Sequence, residues 1–130
     1  MVLFKTSRLQ LKKVVAESKH ATNGVPRDIM PGALVLIQVI AEGRTSVSKV
    51  EYTMRYLRTT PDANDDTLRI WGKKWTHIIE CVDVRRLRAP FDLRRYRKSK
   101  RNYGQAVQRF AYLDPLDVES IKLAGVLDAI

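Results

Sequence analysis

Two tryptophans, Trp71 and Trp75, stand four residues apart around Gly72-Lys73-Lys74. Indole faces stack on planar rings, and a glycine followed by two lysines reads as a turn leading into a strand. The pair can therefore wall a cleft with cations beside it; the competing reading is that one indole caps the core. Downstream, nine basic residues (Arg85, Arg86, Arg88, Arg94, Arg95, Arg97, Lys98, Lys100 and Arg101) face a single acid, Asp92. Nine minus one places +8 of the chain's formal +10 in this stretch, leaving about +2 for the rest. Seven of the nine are arginines, which grip phosphates with two parallel donors, and Tyr96 and Tyr103 offer rings on which bases stack. The segment predicts contact with a nucleic-acid backbone, against the alternative of a solvated loop. A membrane surface is not expected, because Pro90 and Asp92 break any amphipathic helical pattern.

Other chemistry is poorly supplied. In a strand His77 and Cys81 would share a face but lie roughly 13 Å apart, too far for proton transfer. No glycine-rich phosphate loop, His/Cys metal spacing or G-x-S-x-G elbow occurs, so neither cofactor nor metal is expected. Asp62, Asp65 and Asp66 lack the spacing of an EF-hand and read as a solvated loop. The single Cys81 excludes an internal disulfide.

The elements that must position these residues fit one domain over 1–130, with 45% hydrophobic residues. The longest apolar run, Ala33 to Ala41, is interrupted by Gln38 and is too short to cross a bilayer. With no apolar secretory stretch behind Lys5, a cytoplasmic location is expected. Val2 to Lys5 reads as a strand. Ser7 with Gln10 three residues on is a capping box for a helix ending near Ser18, with Leu11, Val14 and Val15 inward. Asn23-Gly24-Val25-Pro26 and Pro31-Gly32 bracket a loop, and Leu34 to Ile40 reads as a central strand. A second strand follows from about Ser46 to Met54 with Val50, Tyr52 and Met54 on one face, then a polar loop over Thr59 to Asp66. Thr76 to Val84 is the next strand, with Ile78, Val82 and Val84 on one side and Ile79 and Cys81 on the other. The basic stretch is expected as an extended arm, and 102–110 as a short helix. Asp114-Pro115 starts a terminal helix whose buried face is Leu116, Leu123, Ala124 and Leu127. With few crossover helices, the fold class is α+β: a small curved mixed sheet, or partly closed barrel, flanked by two or three helices.

In that order the residues resemble the PUA-like superfamily, in particular its EVE and YTH branches. Phe4-Lys5-Thr6-Ser7 before a helix is similar to the opening strand and turn of YTH domains. Asn23-Gly24-Val25-Pro26 with Pro31-Gly32-Ala33-Leu34-Val35-Leu36 resembles the EVE pattern W-G-V-P and its following strand. Trp75 to Val84 with Arg88-Ala89-Pro90-Phe91-Asp92-Leu93, and then Tyr103-Gly104-Gln105-Ala106-Val107-Gln108, resemble the later EVE strand and ending. Asn23 stands where the family has its usual Trp, and Ala33 where it has an Asp, so a base-stacking wall must come from elsewhere.

The resemblance implies a binder of RNA or DNA that holds one base, possibly modified, in an aromatic-walled pocket, alone or as the recognition module of a methylation-dependent restriction system. By position it implies pocket roles for the Lys5-Thr6-Ser7 turn, whose hydroxyls and N–H groups lie at a helix N-terminus, and for Asn23, whose amide matches a base edge; the competing readings are that Ser7 merely caps its helix and that Asn23 before Gly24 is an ordinary turn residue. Trp71 and Trp75 complete the candidate pocket, while Tyr52 reads as core. Some PUA-like ASCH proteins are amidohydrolases using a Lys, a Thr and a Glu, types that Lys5, Thr6 and Glu80 provide. The alternatives are therefore such an amidohydrolase acting on a modified nucleobase, or a plain RNA- or ribosome-associated protein using only its basic stretch.

Overall fold

The computed structural model describes residues 1–23, 28–43, 47–103 and 110–130. In chain order these form β1 (Val2–Thr6), α1 (Arg8–Glu17), β2 (Lys19–Thr22), β3 (Leu34–Val39), β4 (Lys49–Pro61), α2 (Asp66–Trp71), β5 (His77–Phe91), a 3₁₀ turn (Leu93–Tyr96), β6 (Phe110–Tyr112) and α3 (Pro115–Ala124). The strands make one mixed sheet in the order β2-β5-β4-β3-β1-β6, in which only β1 and β3 run parallel. Three strands separate β2 from β1 in that order, yet His20 Nε2 of β2 lies 2.9 Å from the Lys5 carbonyl oxygen of β1. The sheet therefore curls into a half-barrel whose seam lies between these strands, and the α+β class expected from the sequence holds.

Both faces of the central strands are buried, which is why they read as nearly continuous apolar runs. Val2, Phe4, Val35, Ile37, Met54, Ile79 and Cys81 join Leu11 and Val14 of α1 inside the curl. Leu3, Leu36, Val50, Leu87, Phe91, Leu93, Tyr103 and Ile121 form a second core on the outer face. Ser7 caps α1 as expected, its Oγ accepting from the Gln10 N–H at 3.1 Å. Asp114 caps α3 through the Leu116 N–H at 2.9 Å, and Pro115 opens that helix.

Several expectations are corrected. Val50 does not share a face with Met54, because the β4–β5 register shifts between Val50 and Tyr52 and a one-residue slip reverses facing. Another irregularity contains Asp83 at φ +55°; it leaves Val82 exposed and turns Val84 to the side of Ile79 and Cys81. The loop expected over Thr59–Asp66 is partly strand, since β4 runs to Pro61, and β2, α2 and β6 were not anticipated. The face of α3 is also different. Leu116 and Leu123 are exposed, while Asp117 and Ile121 are the buried residues, because the helix packs beside the 3₁₀ turn through the Asp117 side. Of the helix expected over 102–110, residues 104–109 lie outside the described residues; Asn102 and Tyr103 are not helical and Phe110 begins β6.

The basic stretch is not an arm. Arg85, Arg86 and Arg88 lie on β5, paired with β4 through Thr53–Arg85 and Tyr52–Arg86, and Arg94 and Arg95 lie in the 3₁₀ turn. Leu87, Phe91 and Leu93 sink into the outer core between these cations, and that burial holds the chain against the sheet. Only Arg97, Lys98, Lys100 and Arg101 occupy a loop.

Candidate functional site

At the carboxyl end of β1, beside the barrel seam, lies a pocket of about 350 Å³ lined by Lys5, Thr6, Ser7, Gln10, Val14, His20, Ala21, Ile40, Trp71, Lys73 and Trp75. The strand delivers Lys5 and Thr6, the α1 N-cap delivers Ser7, and the first turn of α1 delivers Gln10. Burial pushes the Lys5 ammonium below its ordinary value. Ser7 Oγ is engaged in capping, and Thr6 Oγ1 donates a long 3.4 Å bond to the Ser7 carbonyl. Gln10 Oε1 is buried and receives no hydrogen bond from any described residue. An acceptor left in that condition costs roughly 1–3 kcal/mol, which a donor on a ligand would recover.

The tryptophans are placed by a polar knot. Asp62, expected in a solvated loop, is buried and accepts from the Asp66 N–H at 2.9 Å, from the Thr67 N–H at 3.2 Å, from Thr67 Oγ1, and from Lys74 Nζ at 2.9 Å. Burial alone would raise its carboxyl, but the Thr67 and Lys74 donors and the two backbone N–H groups outweigh it and bring the pKa to about 2. Thr67 Oγ1 in turn accepts the Trp75 N–H at 2.9 Å. The α2 turn is thus tied to the start of β5, with Trp71 and Trp75 half-buried at the pocket and Lys73 Nζ 4.8 Å from the Trp75 ring centroid. On the seam side His20 packs edge-on to Phe4, with ring centroids 5.3 Å apart.

Lys5, Thr6, Ser7, Trp71 and Trp75 come together here; Asn23 does not. Its Oδ1 accepts the Thr76 N–H at 3.2 Å, tying the end of β2 to the start of β5, and it is not among the pocket residues. Glu80 also lies elsewhere, hydrogen-bonded to the Arg58 guanidinium. Gln10 and His20 went unread as pocket residues because their local signals are weak: Gln10 reads as a capping partner, and nothing in sequence spacing announces that β2 returns to β1.

All nine basic residues between 85 and 101 are exposed. Arg85, Arg88 and Arg94 are paired with Asp83, Asp128 and Asp92. Arg86, Arg95, Arg97, Lys98, Lys100 and Arg101 have no carboxylate partner among the described residues. The loop that carries the last four is anchored by Asp117 of α3, which accepts from the Lys98 N–H, the Ser99 N–H, Ser99 Oγ and Tyr103 Oη at 2.5–2.8 Å. A larger groove of about 660 Å³ lies near the C-terminal tail, but there Arg85 is paired with Asp83, and Arg55 donates to the Gly32 carbonyl. Its described cations are largely spoken for, and the smaller pocket is the better candidate. Among the described residues no helix is long and apolar enough to cross a membrane.

No family model and no curated protein matches the chain. Solved structures do. A tyrosine-to-phenylalanine variant of the ASCH protein from Zymomonas mobilis matches with a TM-score of 0.65 and 12% identity, over 96% of each chain. The ASCH protein itself matches with a TM-score of 0.65 and 11% identity, over 94% of this chain and 93% of that one. At such identities the likeness is one of fold, and the EVE and YTH branches rest on the sequence resemblance alone. The chain therefore has the α+β half-barrel fold seen in these ASCH structures.

Proposed function

We propose that the chain binds nucleic acid and holds a single nucleobase in the Lys5–Trp75 pocket, with the exposed cations of the basic stretch against the phosphate backbone. The supporting observation is the combination of two half-buried indoles and the partnerless Gln10 Oε1 in one hollow of about 350 Å³. A flipped base loses a few kcal/mol of stacking, which aromatic walls and an edge acceptor restore. The acceptor selects a ligand edge that carries a donor, such as an exocyclic amine. Binding of short RNA and DNA oligonucleotides, plain and base-modified, at fixed salt tests this reading. Trp71→Ala and Trp75→Ala should each erase discrimination among bases while leaving salt-dependent binding in place. Retained discrimination in both variants would refute the pocket.

An ASCH-type amidohydrolase acting on a modified nucleobase is the second reading. It is favoured by the fold likeness and by Lys5 and Thr6 lining one pocket, the lysine with a lowered pKa. Against it, Glu80 is engaged with Arg58 and is not among the pocket residues. Release of cytidine from an N-acylated cytidine by the wild type, abolished by Lys5→Ala, would establish it over simple binding.

A further inference from the structure

We infer that the ligand is a strand rather than a lone nucleoside, and that Gln38 floors a second subsite for the adjoining nucleotide; this rests on the base-pocket reading above. Gln38 is the residue that interrupts the longest apolar run of the chain. It stands on the face of β3 that otherwise sends Leu34 and Leu36 toward the outer core, is only 6% exposed, and makes no side-chain hydrogen bond with any described residue. An apolar side chain would suit that position on a buried face better; the amide's polar atoms are not sealed off, and a ligand in the hollow that Gln38 lines would supply the partners the described protein groups do not.

The amide opens into a hollow of about 180 Å³, separate from the base pocket, whose walls include Asp92, Arg94, Arg97 and Tyr103. Asp92 and Arg94 neutralise each other: Arg94 Nη2 donates to Asp92 Oδ2 at 2.9 Å, and the Arg94 N–H to Oδ1 at 3.0 Å. Arg97 donates to the Arg101 carbonyl at 3.1 Å and has no carboxylate partner among the described residues. The hollow thus has an amide with a donor and an acceptor at its floor and an uncompensated guanidinium at its rim. That pairing suits a base edge and a phosphodiester. Its volume falls below the usual 300–1,000 Å³ of self-sufficient ligand sites, as expected for part of a longer ligand. Lys5 of the base pocket and Gln38 are register partners on parallel strands, and Ile40 lines one hollow while Ala41 lines the other. Ile40 and Ala41 are consecutive, so both hollows border the end of β3, where consecutive nucleotides of one strand can reach both.

Calorimetric titration with mono-, di- and trinucleotides of each base, RNA and DNA, at fixed salt provides the test. Wild type should gain at least tenfold in affinity from mono- to trinucleotide. Gln38→Met, which keeps length and volume but removes donor and acceptor, should leave mononucleotide affinity unchanged and cut the gain to threefold or less. Should Gln38→Met fold poorly, Arg97→Gln, on the exposed loop, should reduce the same gain. No gain with length in wild type, or a full gain in both variants, overturns the second subsite. Failure of the base pocket is read separately, from mononucleotide affinity that Trp71→Ala and Trp75→Ala both leave unchanged.

Discussion

Asp117→Asn is the most informative perturbation of the fold that carries the basic loop. The wild-type carboxylate is fully buried; Oδ1 accepts the Lys98 and Ser99 N–H groups at 2.6 and 2.8 Å, and Oδ2 accepts Ser99 Oγ and Tyr103 Oη at 2.5 and 2.6 Å. Tyr103 Oη also accepts the Asp114 N–H at 2.8 Å, so one cluster ties the loop, the start of α3 and the outer core together. The phenol's pKa is raised, first by burial and then by its hydrogen bond to Asp117, against the lowering effect of the Asp114 N–H. Asparagine keeps the shape and one acceptor, but both hydroxyls must turn round to accept from its amide, and all four bonds lose their charge assistance. The lowering of the carboxyl from 3.8 to about 2 reflects how much these donors favour its charged form, and at about 1.36 kcal/mol per pH unit the neutral amide forgoes roughly 2–3 kcal/mol. At about 2.1 cal/mol/K per residue, a chain of this size unfolds with roughly 0.27 kcal/mol/K, and Tm should fall by about 9 °C at pH 7. The effect is pH-dependent in a definite direction. Burial alone would raise the Asp117 carboxyl, but its donors outweigh burial and lower it from 3.8 to about 2. A depressed folded-state pKa stabilises above the unfolded value, and that stability is lost as pH falls through the folded value. The gap between wild type and variant should therefore be complete above pH 4 and close toward pH 2, while the other carboxylates cancel in the difference. Thermal unfolding followed by circular dichroism across that range measures it. A Tm within 3 °C of wild type at pH 7, or a gap that persists unchanged down to pH 2, would refute the account. On the proposed function, the same variant should weaken trinucleotide binding more than mononucleotide binding.

Other consequences can be checked independently. On single-stranded ligands, Arg95→Ala and Arg97→Ala should each flatten the log K against log salt slope by about 0.7, while Arg94→Ala, already neutralised by Asp92, should change it less. An unchanged slope in all three would remove this stretch from the interface. Burial pushes the Cys81 thiol up to about 12, so Ellman's reagent at pH 8 should not titrate the native protein but should titrate it fully in guanidinium chloride. Ile121→Ala, at a fully buried position, should cost roughly 2–5 kcal/mol in denaturant unfolding. Leu123→Ser, at a position 81% exposed, should stay within about 0.5 kcal/mol; the reverse ranking would restore the face of α3 expected from the sequence.

Local chemistry was legible wherever it decides structure by itself. The apolar runs at Val2 and Leu34, the Ser7 and Asp114 caps and the Pro115 helix start are short-range signals, and the elements stand where those residues put them. The clustering of charge between 85 and 101, and the spacing of Trp71 and Trp75, were likewise readable from residue types. Facing was not. Val50 and Val84 change sides because irregularities in the β4–β5 ladder reset the two-residue period, and such a shift is a property of two strands rather than one. Asp62 reads as a solvated acid until α2 folds its first turn onto it, and the burial of Asp117 follows from four donors that the distant basic loop delivers to it. Gln10, His20 and Gln38 became pocket residues only when a curled sheet brought β2 back to β1 and set β3 beside the basic loop. Helix caps and apolar runs act over three or four residues, whereas burial and proximity are set by partners many residues away in the chain. The sequence alone therefore determined the chain's charge and most of its local elements, and only the tertiary structure decided which side chains share a pocket.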